Sequence, residues 1–208
     1  RRTVNDVIIG GIDLDYVTKL ARMLAEFDDP ELIIPGAGLP GLVRLPELTG
    51  IGTPPTAQKI INTWQKSTGY STEIGVGDQG VYTLDLVKDG PHGLVGGTTG
   101  SGKSEFLRSL VAGLATHNDP TRLNFILIDF KGGAAFKACE RLPHTIGTIS
   151  NLDEQLANRA LISLEAEMER RQRLFAAAGD GVDNITEYLA PNPPEPMPRL
   201  LLVIDEFA

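Results

Sequence analysis

Two patterns of apolar and polar residues alternate along this chain and predict a mixture of helices and strands. Apolar residues recur at the three- and four-residue spacing of a helix face in five segments: residues 13–27, 56–67, 106–114, 151–179 and 185–188. Short runs of apolar and β-branched residues predict strands at residues 7–9, 73–76, 81–86, 94–96, 123–129, 145–149 and 199–206. Strands that alternate with helices in this way are typical of an α/β fold.

The strand at residues 123–129 is almost entirely apolar, which is typical of a strand that is buried on both faces of a parallel sheet. By contrast, the strands at 73–76 and 81–86 flank the turn Gly77-Asp78-Gln79-Gly80 and predict a β-hairpin. We expect this hairpin to lie at the edge of the domain that contains the parallel sheet.

For two of the predicted helices, the sequence predicts which apolar side chains are buried. The helix at 56–67 is expected to bury Ile60, Ile61 and Trp64. For Trp64, core packing is favoured over stacking on nucleic-acid bases. The long helix is expected to bury one face, formed by Ala157, Leu161, Leu164, Met168 and Phe175.

The sequence also indicates where the long helix at residues 151–179 begins and ends, and which residues lie on its exposed face. Asn151 and Glu154 are spaced as a capping pair at the start, and Gly179 is placed to end the helix. Two acid–base pairs at i,i+4 spacing favour a helix surface held by ion pairs over a basic contact strip: Glu167 with Arg171, and Glu169 with Arg173.

Between the predicted strand at 94–96 and the next helix lies the pattern G-x-x-x-x-G-K-S, formed by Gly97, Thr98, Thr99, Gly100, Ser101, Gly102, Lys103 and Ser104. Glycines without Cβ atoms let backbone N–H groups turn inward around a polyphosphate. Lys103 is expected to contact the β- and γ-phosphates of ATP, and the Ser104 hydroxyl to contact Mg²⁺. The sequence therefore predicts a nucleotide-binding P-loop that opens a helix.

The last strand ends in Asp205 and Glu206, an apolar run followed by two carboxylates that is typical of a Walker B motif. Asp205 is expected to help hold Mg²⁺ with Ser104, and Glu206 to polarise the water that attacks the γ-phosphate. Glu206 and Lys103 are the predicted catalytic residues.

Three further reactive side chains have competing interpretations. Lys131 follows the strand at 123–129 and either senses nucleotide, contacts a neighbouring subunit or is a solvated turn residue. His144 is interpreted as a hydrogen-bonded loop residue rather than a catalytic one. Cys139, the one cysteine, is interpreted as a packed thiol and permits no internal disulfide.

These motifs resemble those of the FtsK/SpoIIIE family. The resemblance lies in residues 90–105, in Ile128-Asp129-Phe130-Lys131-Gly132-Gly133, in Leu142-Pro143-His144, in residues 167–171 and in residues 205–208. The D-F-K-G-G turn resembles the EccC/EssC ATPases of type VII secretion and their actinobacterial relatives, whereas DNA pumps of the family usually carry D-P-K.

The resemblance implies a RecA-like P-loop core, with a parallel sheet between helices, that ends after the Walker B strand. It also implies an ATPase that forms a ring, with a hexamer expected, at the cytoplasmic face of a bacterial membrane, with its membrane anchor elsewhere. Protein export is the favoured function. The alternatives are a translocase for double-stranded DNA and an ATP-gated module that binds export signals.

Charge and segment boundaries refine this interpretation. The net charge of −8 weakens a nucleic-acid function, since no basic face stands out. Residues 1–67 are interpreted as a helical appendage with a proline-rich linker, and residues 68–208 as the N-terminal part of the ATPase domain. The chain is expected to be a fragment, because it begins with Arg1-Arg2 without a methionine and stops inside or just after a predicted strand. The resemblance implies that the sensor strand and the arginine finger come later in sequence. Alone, it is expected to bind ATP weakly, hydrolyse it poorly and leave a gap in its sheet.

Overall fold

The structure, a computed structural model, describes residues 13–24, 38–130, 132, 135–150, 154–190, 193 and 195–206. The strand predicted at residues 7–9, Lys131 and Asn151 lie outside the described residues. The chain divides into two units, residues 1–39 and 40–208. In the first unit, helix α1 (Leu14–Leu24) begins after Asp13, whose carboxylate accepts the backbone N–H of Asp15 at 3.3 Å.

The second unit contains the other described elements, in an order that confirms the α/β prediction. They are α2 (Leu45–Leu48), α3 (Ala57–Lys66), β1 (Ser71–Gly77), β2 (Gly80–Asp85), α4 (Lys103–His117), β3 (Leu123–Asp129), β4 (Thr145–Ile149), α5 (Glu154–Ala178), α6 (Ile185–Leu189) and β5 (Arg199–Asp205). Strands β4, β3 and β5 form a parallel sheet in that order, while β1 and β2 form a separate antiparallel hairpin. Within the described residues, no helix is both long and apolar enough to span a membrane.

The core lies where helix α4 packs against the parallel sheet. Its fully buried apolar side chains come from α4, β3, β5 and the segment before β4: Val111, Leu114, Leu123, Phe125, Leu127, Phe136, Cys139 and Val203. The opposite face of the sheet is less covered, because Ile126 is partly exposed and Leu202 is 37% exposed. Burial of β3 on both faces is therefore only partly realised.

Helix α3 packs against α4 through Trp64, whose indole N–H donates to the Ala115 carbonyl at 2.8 Å. This contact confirms that Trp64 is a packing residue. The predicted burial of Ile61 is wrong, since this side chain is 42% exposed. Ile60 and Trp64 lie four residues apart on the face toward α4, whereas Ile61 is rotated by about 100° away from it. The domain boundary near Ser67 remains a prediction, and α3, which precedes it, belongs to the same unit as the sheet.

The strand predicted at 94–96 is not formed. Residues 93–98 have no regular secondary structure, and Leu94 is 92% exposed. A strand needs a neighbour for its backbone hydrogen bonds, and in the described part of the chain β5 pairs only with β3. Among the described strands, none therefore lies beside the segment before the P-loop, at the place where the sequence predicts a gap in the sheet.

Helix α5 ends as predicted, with Gly179 at a φ of +130° directly after its last residue. Its predicted buried face is only partly correct. Phe175 packs against Tyr188 of α6 with ring centroids 5.5 Å apart, but Leu161 and Met168 are 60% and 61% exposed. The reason is that α6 covers only the C-terminal part of α5. The Ala157 side chain lies outside the described residues.

Candidate functional site

The P-loop has a backbone that only glycine adopts readily. Gly100 and Gly102 have φ angles of +80° and +91°, in the left-handed region that disfavours side chains. Gly97 lies so close to Ser101 that a Cβ atom there would approach the Ser101 hydroxyl to 2.5 Å. The Ser101 N–H closes the turn by donating to the Thr98 carbonyl at 3.1 Å. The backbone conformation therefore favours glycine at Gly100 and Gly102, and a side chain at Gly97 would displace the Ser101 hydroxyl.

The loop leads directly into the first turn of α4. Gly102 is the N-cap of this 15-residue helix, and its carbonyl accepts the N–H of Phe106 at 2.9 Å. The unpaired N–H groups and the dipole at such a helix start favour negative charge. The start of α4 thus contributes positive potential at the place where the loop turns.

Lys103 folds back over the loop. Its ammonium group donates to the carbonyls of Gly97 and Thr98, at 3.0 and 3.1 Å. Among the described residues, no carboxylate lies within 4.0 Å of this ammonium group. For the described residues, the hydrogen-bond partners of this ammonium group are thus two backbone carbonyls, and a phosphate oxygen would be a stronger partner.

The P-loop helix and the last strand meet at Ser104 and Asp205. The Ser104 hydroxyl donates to the Asp205 carboxylate at 2.6 Å, and Asp205 is only 4% exposed. Asp205 is the last residue of β5, and its carboxylate therefore lies at the start of α4. The two motifs that the sequence predicts to act together are thus in direct contact.

Glu206 follows Asp205 in an unusual backbone conformation. Its φ is +58°, and its N–H donates to the Asp205 carboxylate at 3.2 Å. A non-glycine residue in this region costs about 1 kcal/mol or more, and such strain is concentrated at functional sites. Glu206 is exposed, so the turn directs the chain away from the strand immediately after the buried Asp205.

Asp129 is a residue of this site that sequence reasoning missed. It ends β3 directly beside Asp205 in the parallel register and is 6% exposed. Its carboxylate accepts the backbone N–H of Ala135 at 2.9 Å and so fastens the segment after β3. The available signal was that both strands are apolar runs that end in Ile-Asp.

The donor set fits a magnesium nucleotide. A serine hydroxyl beside one carboxylate is the kind of partial oxygen set that Mg²⁺ completes with water and phosphate. Among the described residues, no group of three or more His, Cys, Asp or Glu side chains could hold a metal ion without such help. The loop at 97–102 has two glycines with positive φ and a close approach of Ser101 to Gly97, which fits a loop that turns its backbone N–H groups toward a polyphosphate.

Two of the remaining reactive residues are structural. His144 is 1% exposed, and its Nε2 lies 2.6 Å from the Asn118 carbonyl, which confirms the hydrogen-bonded interpretation. Cys139 is 4% exposed within the core, and burial raises the pKa of its thiol. Both side chains lie away from the P-loop and belong to the packing of the domain.

Comparisons with known proteins agree with this geometry. The sequence profile of the FtsK/SpoIIIE family matches residues 62–206. The type VII secretion system protein EssC of Staphylococcus aureus strain NCTC 8325 / PS 47 is 42% identical over 162 residues, covering 72% of this chain. The chain spans only 11% of the length of that relative.

Two solved structures from Thermomonospora curvata are similar in fold. The first is the cytoplasmic domain of the type VII secretion ATPase EccC, with a TM-score of 0.70 and 37% identity over 80% of this chain and 21% of that one. The second is EccC (ATPases 2 and 3) in complex with a signal sequence peptide, with a TM-score of 0.56 and 27% identity. That match covers 68% of this chain and 27% of the other.

Proposed function

This chain belongs to the FtsK/SpoIIIE family, and from this premise we propose that it is the ATP-binding motor domain of a translocase of the type VII secretion kind. The observation that carries the proposal is the 2.6 Å contact between Ser104 and Asp205. It joins the P-loop to the last strand and creates one site for phosphate and Mg²⁺. ATP supplies the free energy for moving a substrate when it is bound and hydrolysed there.

The residues of this chain take distinct parts in the site. Backbone N–H groups of residues 97–102 and the Lys103 ammonium group hold the phosphates, and Ser104 and Asp205 hold Mg²⁺. Glu206 follows Asp205 directly and is exposed, and its carboxylate would polarise the attacking water. Asp129 fastens the neighbouring segment through Ala135.

The comparisons also support a more specific assignment, to the first ATPase of an EccC-type protein. The T. curvata cytoplasmic domain and the fragment with ATPases 2 and 3 derive from the same protein. If this chain corresponded to ATPase 2 or 3, both structures would match it equally well. The cytoplasmic-domain structure has the higher identity and TM-score of the two. This difference favours a correspondence between this chain and a segment of EccC that the fragment with ATPases 2 and 3 lacks.

Partners and location follow as parts of the same proposal. A T. curvata relative is described as a cytoplasmic domain, which supports a position at the cytoplasmic face of the bacterial membrane. We expect ring assembly in the full-length protein, and secreted proteins as substrates. A signal sequence peptide is bound to a fragment of the relative EccC, so an ATP-gated module that binds export signals is the second candidate. Translocation of double-stranded DNA remains the alternative within the motor class.

Binding of a fluorescent ATP analogue to the 208-residue chain tests the proposal. Lys103→Ala should weaken Mg²⁺-dependent binding about tenfold or more, because a charge-assisted contact to phosphate is lost. Lys66→Ala removes an exposed lysine from α3 and serves as the matched control. Equal affinities of these two variants would contradict nucleotide binding at the P-loop.

Turnover in the full-length protein separates the candidate functions. Glu206→Gln should keep ATP binding but stop hydrolysis and transport. A binding module would retain its function in this variant. ATPase activity that rises strongly with duplex DNA, with a steep dependence on salt, would favour the DNA translocase.

A further inference from the structure

A second cluster of charged residues lies at the opposite end of the parallel sheet from the P-loop. Arg122 directly precedes β3, and Arg199 begins β5. The N–H of Arg199 donates to the Arg122 carbonyl at 2.8 Å, so the two residues are neighbours at the amino-terminal edge of the sheet. Since β5 has seven residues, this edge is about 20 Å from Asp205.

Both guanidinium groups stack on one aromatic ring. The Cζ atoms of Arg122 and Arg199 lie 5.1 and 4.7 Å from the ring centroid of Tyr70, which precedes β1. Each contact is a cation–π interaction. We name Arg122 and Arg199, stacked on the Tyr70 ring, the arginine pair.

Neutral groups supply the hydrogen bonds of the arginine pair. Arg122 donates to the Ser67 carbonyl at 2.6 Å, and Arg199 donates to the Thr186 hydroxyl at 2.7 Å. Within the described ranges, neither guanidinium has a carboxylate within 4.0 Å. The Nε of Arg199 is buried without a hydrogen-bond partner. In the part of the chain that the structure describes, two permanent positive charges thus share one ring with no carboxylate within 4.0 Å of either guanidinium.

This arrangement is unusual for an acidic protein. The chain has 27 acidic and 19 basic side chains, and three arginines in the second half of α5 are paired with glutamates. Arg170 and Arg171 both bind Glu167, and Arg173 binds Glu169. The arginine pair is therefore a local cationic site on a protein whose net charge is negative.

We propose that the arginine pair binds the carboxylates of an acidic peptide segment on a partner protein. Guanidinium groups bind carboxylates through two parallel N–H···O bonds, and a carboxylate at each arginine would supply the missing counter-charges. An extended acidic segment can provide both. The site is independent of the nucleotide site and of the proposed function, because it lies at the other edge of the sheet.

An acidic peptide fits better than nucleic acid for two reasons. The Tyr70 ring is already engaged by the arginines of its own chain, so stacking on a base would require their displacement. Two arginines on a protein with a net charge of −8 also provide few phosphate contacts, and nucleic-acid affinity depends on their number.

Fluorescence anisotropy with a labelled hexaglutamate peptide and the whole 208-residue chain tests the proposal. Binding should weaken as salt rises, and Arg122→Gln and Arg199→Gln should each reduce affinity about tenfold. Arg173→Gln removes the same charge from the surface of α5, so its affinity should stay within about twofold of the original value. In NMR spectra, the Arg199 Nε–H signal should shift on titration.

Variants that preserve the positive charge distinguish a loss of peptide binding from a loss of folding. Arg122→Lys and Arg199→Lys retain the stacked cation but lose the planar fork, so they should also weaken binding. Absence of hexaglutamate binding to the folded chain would overturn the proposal. It would equally be overturned if Arg173→Gln weakened binding as much, or if duplex DNA or inorganic phosphate bound to the pair and the peptide did not.

Discussion

The Ser104 hydroxyl donates to the Asp205 carboxylate at 2.6 Å, although the two residues are 101 positions apart in the chain. We expect Ser104→Ala to lower the Mg²⁺-dependent affinity for ATP about tenfold, because it removes the hydroxyl proposed to contact Mg²⁺ and the hydrogen bond to the buried Asp205 carboxylate. Asp205→Asn should have a similar effect, since the amide is a weaker ligand for Mg²⁺. Titration of a fluorescent ATP analogue with and without Mg²⁺ measures both effects.

Ser109→Ala is the control for that experiment. Ser109 is an exposed residue of the same helix, one and a half turns further on. It should bind MgATP as the unmodified chain does. If Ser104→Ala bound MgATP as tightly as Ser109→Ala, the contact with Asp205 would have no role in metal binding.

The second prediction concerns two adjacent glycines. A Cβ at Gly97 would lie 2.5 Å from the Ser101 hydroxyl, whereas a Cβ at Gly96 would meet no atom within 4 Å. Gly97→Ala therefore requires at least that the Ser101 hydroxyl rotate away, at a cost of about 1 kcal/mol, and should weaken ATP binding. Gly96→Ala should leave stability within about 0.5 kcal/mol. Thermal unfolding and nucleotide titration of both variants test this, and equal behaviour would mean that the loop is not close-packed at Gly97.

The sequence predicted the site better than it predicted the packing around it. The P-loop and the Asp205 strand are recognisable because phosphate and magnesium impose local residue types, such as Gly102 and Ser104, whatever the rest of the chain does. The contact between Ser104 and Asp205 then follows from the parallel sheet. Asp129 was missed because its position beside Asp205 depends on the register of β3 and β5, which the shared Ile-Asp ends of the two apolar runs do not fix by themselves.

Burial was harder to predict, because it depends on neighbours that periodicity does not reveal. Leu161 and Met168 follow the helical spacing of a buried face, yet α6 reaches only the end of α5 near Phe175. Likewise, Leu94 belongs to an apolar run that reads as a strand, but no strand in the described part of the chain lies beside it.

The third prediction concerns an ion-pair cluster on α5. Glu167 accepts hydrogen bonds from Arg170 and Arg171, at 2.8 Å each, and these contacts lower its pKa from 4.5 to about 2. A lowered carboxyl pKa stabilises the fold fully above pH 4.5, and the effect is lost as the pH falls toward 2. Because the side chain is 29% exposed, solvent screens the cluster, and Glu167→Gln should cost about 1 kcal/mol at neutral pH.

Glu169→Gln is its matched control on the same helix. Glu169 lies 3.8 Å from Arg173, and both side chains are at least 70% exposed. Its replacement should change stability by less than about 0.5 kcal/mol. Urea unfolding at neutral pH and near pH 3 measures the difference, which should shrink in acid. An equal loss in both variants, or a difference independent of pH, would contradict the prediction.

The last prediction concerns the buried histidine. The Asn118 carbonyl accepts the Nε2–H of His144, while Nδ1 is buried without a partner, between Phe125 and Trp64. Protonation would place an unpaired N–H there, so burial lowers the pKa of His144 below 6.5, against the opposing effects of the Asn118 carbonyl and Asp119. Below pH 6.5 the unfolded chain binds the proton more readily, and stability should fall by up to about 1.4 kcal/mol per pH unit. His144→Gln keeps a hydrogen-bond donor but does not titrate. Its unfolding free energy should therefore vary less between pH 5 and 7.5 than that of the exposed control His92→Gln. Parallel pH profiles of the two variants would show that His144 is not the group responsible.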